Sequence, residues 1–444
     1  MIRNRRQVPL AALLALFSGT VPAVALTHTA VGASAPASVV PSAAEPTCAW
    51  PVAALNIHNS KLLLLDPSAN LWAPDSSATY WDQPVVAGPG LRITISATFP
   101  DASYFSLQTY TPYGTPFSVN GVSSSLADYQ VAPGQGSTNP WQHRAGPGGR
   151  FAVTVRSGVA PGEPNALPLP SGTSVAHPGY LLYRVYLPAG GISQLTPPTL
   201  TWSQGTVVRR LPPCSTHVLL PLPEKAPAGT TPSPSKVPPP AGAFFKPLLT
   251  KYAGGLADAN DAYVEAYFIR PTTTDVLVVS AKAPTFAPGG GPSPWPEPGE
   301  DMQYWSMCIA VGKGTLPTVV NQLPGGQVDY GCRADEATKL DAAGDYNYVV
   351  GPEAQRAAIS KIPGATFLPF SSTATTPRGR PWPLYVLLLR NILVSPDFAH
   401  SAQKVTQETD APAAAAAMGP YYPRVSTCAL ATLTTKGISA CGAH

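Results

Sequence analysis

The sequence predicts a mostly β protein, two tandem β-sandwich or jelly-roll-like domains with few short helices, and three observations lead there. Short β-branched and aromatic runs are separated by Gly, Pro, Asn and Asp turns, the pattern of strands packed in two layers. A Pro-rich stretch divides the 444-residue chain into two parts of comparable length. Strand-like runs then recur in the same order on both sides of it.

In the first part, residues 91–95 (Leu-Arg-Ile-Thr-Ile) alternate as a half-buried strand should. Runs at 104–107, 126–131, 150–155 and 180–188 follow. In the second part the corresponding runs are 275–279, 304–308, 345–350 and 384–393. Helix is scarce. The clearest helical signal is 396–405, with Ser395 as N-cap and Pro396 at the first helical position, and 352–360 is a shorter one.

Residues repeat as well as order. Asp75 and Tyr80 match Asp258 and Tyr263 at identical spacing. Tyr104-Phe105-Ser106-Leu107 matches Tyr304-Trp305-Ser306-Met307, and Asn165 to Pro170 matches Ala365 to Phe370. Leu181-Leu182-Tyr183-Arg184 matches Leu387-Leu388-Leu389-Arg390. Four blocks in one order point to an internal duplication. The ordered set also resembles a β-sandwich domain of bacterial envelope proteins of unknown function. Its aromatic-Trp/Phe-Ser strand is Tyr104 to Leu107 here, and its Gly-x-x-x-Val-x-Val strand is Gly149 to Val155. Its Asn-x-Leu-Pro-x-Pro turn is Asn165 to Pro170, and its Leu-x-Leu-Arg-x-Tyr strand is Leu181 to Tyr186. The resemblance covers most of 70–200 and, more weakly, 255–395, where Ala365 replaces the Asn and Cys308 and Cys332 are added. It implies the fold and the envelope, and no activity.

The N-terminus reads as an export signal over residues 1–25. Arg3, Arg5 and Arg6 precede an apolar run at 8–17 and the small-x-small site Ala23-Val24-Ala25, with cleavage after Ala33 as the alternative. That run is too short to span a bilayer, which takes about 20 residues, so a transmembrane anchor is not expected. A low-complexity, disordered segment follows at 26–47. The first domain is expected over 48–222, a linker with seven prolines over 223–242, and the second domain with a C-terminal disulfide loop over 243–444.

Six cysteines fit a secreted, extracytoplasmic chain with three disulfides. Cys308 and Cys332 end two strand-like runs of one domain, and Cys428 and Cys441 close a small loop. Cys48 and Cys214 then tie the ends of the first domain together. Zinc is not expected, because no CxxC or HxxxH spacing exists. Charged residues are 12% of the chain and the net charge is +4, without the dense basic patch that nucleic acid demands.

The polar residue of most interest is the arginine shared by both copies. Alternation puts Leu182, Arg184 and Tyr186 on one face, and Leu388, Arg390 and Ile392 on its counterpart. An arginine among apolar neighbours needs a partner. Asp75 and Asp128 are the candidates for Arg184, and Asp258 and Asp335 for Arg390, each from its own domain. The six form either structural ion pairs or a ligand clamp. No G-x-S-x-G, HExxH, P-loop or GxGxxG signature occurs. His143, His177 and Asp128 could make a dispersed triad, although the second copy has no matching histidine before His400. Asp258-Ala-Asn260-Asp261 and Asp341 to Asp345 resemble fragments of calcium loops, or plain turns. Trp72, Trp81, Trp141 and Trp295 in loop-like segments could face sugars or partner proteins, or pack the ends of the sandwich. The sequence therefore points to a non-enzymatic protein with a binding or envelope-structural role, its partner a cell-wall glycan or another envelope protein. The alternative is a secreted hydrolase with its site in a cleft of the first domain or between domains.

Overall fold

The computed structural model describes residues 46–51, 70–214, 242–248, 254–287, 291–313 and 315–442. The expected signal at 1–25, nearly all of 26–47, and the Pro-rich stretch up to residue 241 lie outside the described residues. Among those described, no helix is long and apolar enough to cross a membrane.

The expected runs form strands except at 126–131, where the strand stops at Ala127 and Asp128–Gln130 is a 3-10 turn; with further strands that were not anticipated they assemble as two β-sandwiches. In chain order the first holds β1 (Ala78–Val85), β2 (Leu91–Thr98), β3 (Ala102–Tyr110), the short hairpin β4 (Ser118–Val119) and β5 (Val122–Ser123), and β6 (Ser125–Ala127). Next come β7 (Arg150–Arg156), β8 (Ala166–Pro168), β9 (Gly179–Pro188), β10 (Thr199–Gln204) and β11 (Val207–Leu211). One sheet runs β1-β9-β3-β6 and the other β11-β10-β2-β7-β8. The second sandwich holds β12 (Asp261–Ile269), β13 (Asp275–Lys282), β14 (Met302–Val311), the hairpin β15 (Val320–Gln322) and β16 (Val328–Tyr330), and β17 (Cys332–Ala334). It closes with β18 (Asp345–Gly351), β19 (Ala365–Pro369), β20 (Leu384–Val394) and β21 (Arg424–Ala429). Its sheets run β12-β20-β14-β17 and β19-β18-β13-β21. The orders correspond strand for strand, down to a parallel pair in each, β7 with β8 and β18 with β19. The first sandwich adds only β11.

Alternation decides which face each strand buries. On β2, Leu91, Ile93 and Ile95 enter the first core beside Phe105, Val153 and Leu200, while Arg92 and Ser96 are exposed. β9 and β20 behave differently: both are apolar or aromatic almost throughout and buried on both faces. One face packs on its own sandwich. The other meets the opposite sandwich, so the two four-stranded sheets lie against each other in a shared layer. That layer includes Tyr80, Tyr104, Tyr186, Leu256, Tyr304 and Ile392.

Helices depart from expectation at three places. Residues 396–405 give only a 3-10 turn, Ala402–Lys404. Asn391 on β20 captures the segment, its side-chain oxygen accepting from Ala402 N–H at 2.9 Å and its carbonyl from Gln403 Nε2 at 2.6 Å. A helix there would forfeit both bonds. The short turn near 352–360 does form, as α1 (Arg356–Ile359). Two helices were not anticipated. α2 (Ala411–Met418) starts where Asp410 accepts from Ala413 N–H at 2.8 Å, an N-cap on an alanine run. α3 (Leu430–Lys436) follows β21 and covers the outer face of the second sandwich, with Leu433 buried.

The three expected disulfides are present: Cys48–Cys214, Cys308–Cys332 and Cys428–Cys441. Cys48–Cys214 joins chain ends already paired, since Ala49 N–H donates to the Pro212 carbonyl and Cys214 N–H to that of Ala49.

Because β9 and β20 are buried on both faces, neither sandwich can lose its partner without exposing its central strand. Thermal unfolding followed by far-UV circular dichroism should show one cooperative transition. Two resolved transitions would mean that the shared layer contributes little.

Candidate functional site

The six charged candidates all lie in the shared layer or directly beneath it, but their pairing crosses between sandwiches. Arg184 meets Asp258 at 2.9 Å, and Arg390 lies 3.7 Å from Asp75. The expectation that each arginine meets an acid of its own domain is therefore wrong. The cause is the path of the chain before β1 and β12. Residues 70–75 run along the second sandwich, where Asn70 Nδ2 donates to the Thr318 carbonyl at 2.7 Å and Trp72 and Ala73 donate to Thr315 and Leu316. Residues 254–259 run along the first, where Leu256 N–H donates to the Gly114 carbonyl at 2.9 Å and Ala259 N–H to Gln108 Oε1 at 3.1 Å. Each sandwich lends the other an arm, and the arm carries the aspartate.

The two ends of this exchange are built alike. Asp258 Oδ2 accepts from Tyr104 Oη at 2.8 Å and Ser106 Oγ at 3.3 Å. Asp75 Oδ2 accepts from Tyr304 Oη at 2.8 Å and Ser306 Oγ at 2.6 Å. The other oxygen of each takes a local backbone N–H, from Asn260 and Ser77 respectively. Both arginines also donate to an arm carbonyl, Arg184 to Leu256 at 3.1 Å and Arg390 to Ala73. Leu256 and Ala73 hold φ of 55° and 50°, a left-handed conformation unusual for either residue. That turn aims each carbonyl at its guanidinium, which repays local strain. Gly254 marks the tightest approach: a Cβ there would lie 2.5 Å from the Gly114 carbonyl oxygen.

Both aspartates and both arginines are at most 4% exposed, so the pairs act in a low-dielectric layer. Burial alone would lower the pKa of Arg184, but Asp258 and the surrounding tyrosine hydroxyls outweigh it and hold the guanidinium charged. Burial, reinforced by Asp258 and Asp75, pushes Tyr104 and Tyr304 well above the usual phenol range, so both stay donors.

Asp128 and Asp335 bind backbone instead of arginine. Asp128 accepts from Phe105 N–H at 3.3 Å and Tyr129 N–H at 2.6 Å, and Asp335 accepts from Trp305 N–H at 3.1 Å and Glu336 N–H at 2.8 Å. Only Asp128 is reached from the opposite sandwich, by Gln303 Nε2 at 2.8 Å. They tie β6 and β17 to the neighbouring strands and leave the arginines to the arms.

The remaining candidates scatter. His143 and His177 are exposed, whereas Asp128 is fully buried, so the three do not assemble as a triad. His400 stacks on Tyr421 at the surface. In the first calcium-like fragment Asn260 Nδ2 donates to Tyr104 and Ser125. In the second, Asp341 accepts from the backbone of Ala343 and Asp345 and from Asn347, which is a turn. Trp141 is fully buried in the first core and Trp295 nearly so, while Trp81 stacks on Tyr183 and Trp72 packs at the shared layer. They pack the structure and are not an open aromatic platform.

At the seam a cleft of about 540 Å³ opens beside Ser76, Ser77, Leu187, Tyr330, Arg333 and Glu336. Asp329 on its wall is paired with Arg333 at 2.9 Å and with Arg356. Sequence reasoning passed over Tyr104, Tyr304, Ser106 and Ser306 as site residues. Their identical spacing in both repeats was the available signal.

Two further carboxyls face the layer at matching positions of β1 and β12. Asp82 has no hydrogen-bond partner among the described residues, and burial raises it well above the carboxylate range despite nearby Arg184. Glu265 is pushed up by burial to about 7. An acid with a raised folded pKa binds its proton more tightly when folded, so it favours the fold at low pH and loses that contribution as pH rises through the folded value. The urea midpoint should accordingly fall between about pH 5 and about pH 9, and Glu265→Gln should flatten part of that fall. A midpoint that rises with pH in both proteins would contradict this. For the exchange itself, Arg184→Met strands Asp258 in the layer and should cost about 3–5 kcal/mol. Both sandwiches should lose stability together in this variant and in Gly254→Val, since either change unseats the arm. Loss confined to the first sandwich, read by hydrogen exchange, would refute the exchange.

No protein-family model matches the sequence, and no curated protein is similar to it. Among solved structures, an uncharacterized protein from Burkholderia cenocepacia aligns at 12% identity and TM-score 0.46, covering 83% of this chain and 81% of that one. An anti-sigma factor domain-containing protein aligns at 10% identity and TM-score 0.15, over 81% and 84% of the two chains. At those scores neither likeness carries an argument.

Proposed function

We propose that this chain is an exported, extracytoplasmic protein with a non-enzymatic binding or envelope-structural role, built by tandem duplication of one β-sandwich domain. The reciprocal Asp75–Arg390 and Asp258–Arg184 exchange carries the reading. It consumes the polar groups that the sequence offered for chemistry in holding two sandwiches as one body. Three disulfides fit a folded life outside the cytoplasm. Matching strand orders and matching arms support duplication, and a bacterial envelope is the setting that the resembled domain suggests.

A second reading, a secreted hydrolase, draws on the seam cleft, where Glu336 and Tyr330 line an open space beside charged Arg333. Two experiments separate the readings. Mass spectrometry of protein recovered from the medium or envelope should place the mature N-terminus at Leu26 or Ser34. Purified protein incubated with ester, glycoside and peptide substrates should show no turnover above a heat-denatured control. Efficient turnover that is lost in Glu336→Gln would replace the binding reading with the enzymatic one.

A further inference from the structure

The two sandwiches present corresponding outer faces that differ sharply. In the second, Val276, Val278, Val349 and Phe367 point outward from the β19-β18-β13-β21 sheet and are covered by α1 and α3 through Ile359 and Leu433. In the first, the β11-β10-β2-β7-β8 sheet turns no such apolar group outward from its three central strands. Its outward positions carry Arg210 on β11, Arg92 on β2, and Arg150 and Arg156 on β7, with no acidic residue among them. Strand register places Thr201, Thr94 and Thr154 side by side, a row of hydroxyls that ends at Arg210.

Charge is segregated here. The whole chain balances 28 basic against 24 acidic residues, yet this face has four arginines and no acid of its own. Among the described residues, Glu163 from the adjoining loop pairs with Arg156 at 2.6 Å and also feels the charge of Arg92. Arg92, Arg150 and Arg210 are exposed and have no ion-pair partner among the described residues. From Arg92 to the β2 residue opposite Arg150 the face extends about 20 Å along the strands.

We propose that this face docks a linear anionic polysaccharide, with Arg92, Arg150 and Arg210 pairing its carboxylates and the threonine row bonding its hydroxyls. Charge complementarity selects the anion. Length selects a chain over a single small ion. The outward positions include no aromatic ring on which a nucleobase could stack. Among the described residues, the large apolar groups exposed nearby are Val207 and Val208 at the β10–β11 turn, too little to insert stably into a bilayer.

The inference rests on the binding reading for its compartment, and its test is separable from that reading. Full-length secreted protein is titrated with a polyuronate and with the neutral glucan pullulan. Polyuronate should bind and pullulan should not, with polyuronate affinity falling by about tenfold or more as salt screens the contacts. The triple variant Arg92→Gln, Arg150→Gln, Arg210→Gln should lose binding by about tenfold or more while melting like the native protein, because exposed surface charges contribute little to stability. Absence of polyuronate binding by the native protein overturns the proposal. Undiminished binding by the triple variant overturns this face as the site but leaves a binding role standing. Tighter binding to phosphatidylglycerol vesicles or single-stranded DNA than to polyuronate overturns the polysaccharide as occupant.

Discussion

Two buried charges set the terms for everything else in this molecule. An arginine at the centre of a β-sheet face, surrounded by leucine and tyrosine, cannot remain there without an anion, because an unpaired ion in so dry a place costs several kcal/mol. Arg184 and Arg390 each obtain theirs from an arm of the opposite sandwich. From that requirement follow the left-handed turns at Leu256 and Ala73, the tyrosine and serine donors around each carboxylate, and burial of β9 and β20 on both faces. The pairs add specificity more than attraction. They fix which sheet faces which and in what register, whereas tyrosine rings such as Tyr186 against Tyr304, at 5.0 Å, supply apolar contact.

Within this symmetry the two sandwiches differ in ways that read chemically. Where the second sheet has the Cys308–Cys332 bridge, the first has Gln108 opposite Ser125, and Gln108 binds the arm through Ala259. In the second sheet Arg390 donates to Cys308 Sγ at 2.7 Å, so the disulfide takes the place of a hydrogen-bonding side chain beside the ion pair. The outer faces differ further, one sealed by helices and the other covered by no described helix. A single domain design thus serves an internal interface at the shared layer and two unlike surfaces outside.

The sequence by itself determined the central strands of each sheet and the two-sandwich class, because alternation and turn residues act locally, but β1, β10, β11, β12 and β21 were not marked by it. Correct disulfide partners were also legible: strand ends put Cys308 beside Cys332, a short loop pairs Cys428 with Cys441, and Cys48–Cys214 followed by elimination. The repeated Asp and Arg positions identified Asp75, Asp258, Arg184 and Arg390, and Asp128 and Asp335 joined them because acids are few. Tertiary structure alone decided which acid meets which arginine. Asp75 and Asp258 sit the same number of residues before their strands in both copies, so spacing cannot distinguish an arm that folds back from one that crosses over. Only the packing of two faces settles that, through contacts as distant in sequence as Asp75 and Tyr304. The helix expected at 396–405 failed because Asn391, on the strand just before it, takes the Ala402 N–H and the Gln403 side chain, contacts that the capping pattern does not show. Which elements cover the apolar outer face of β13 depended likewise on where α1 and α3 came to rest, since its run of valines marks a face to be covered and not what covers it.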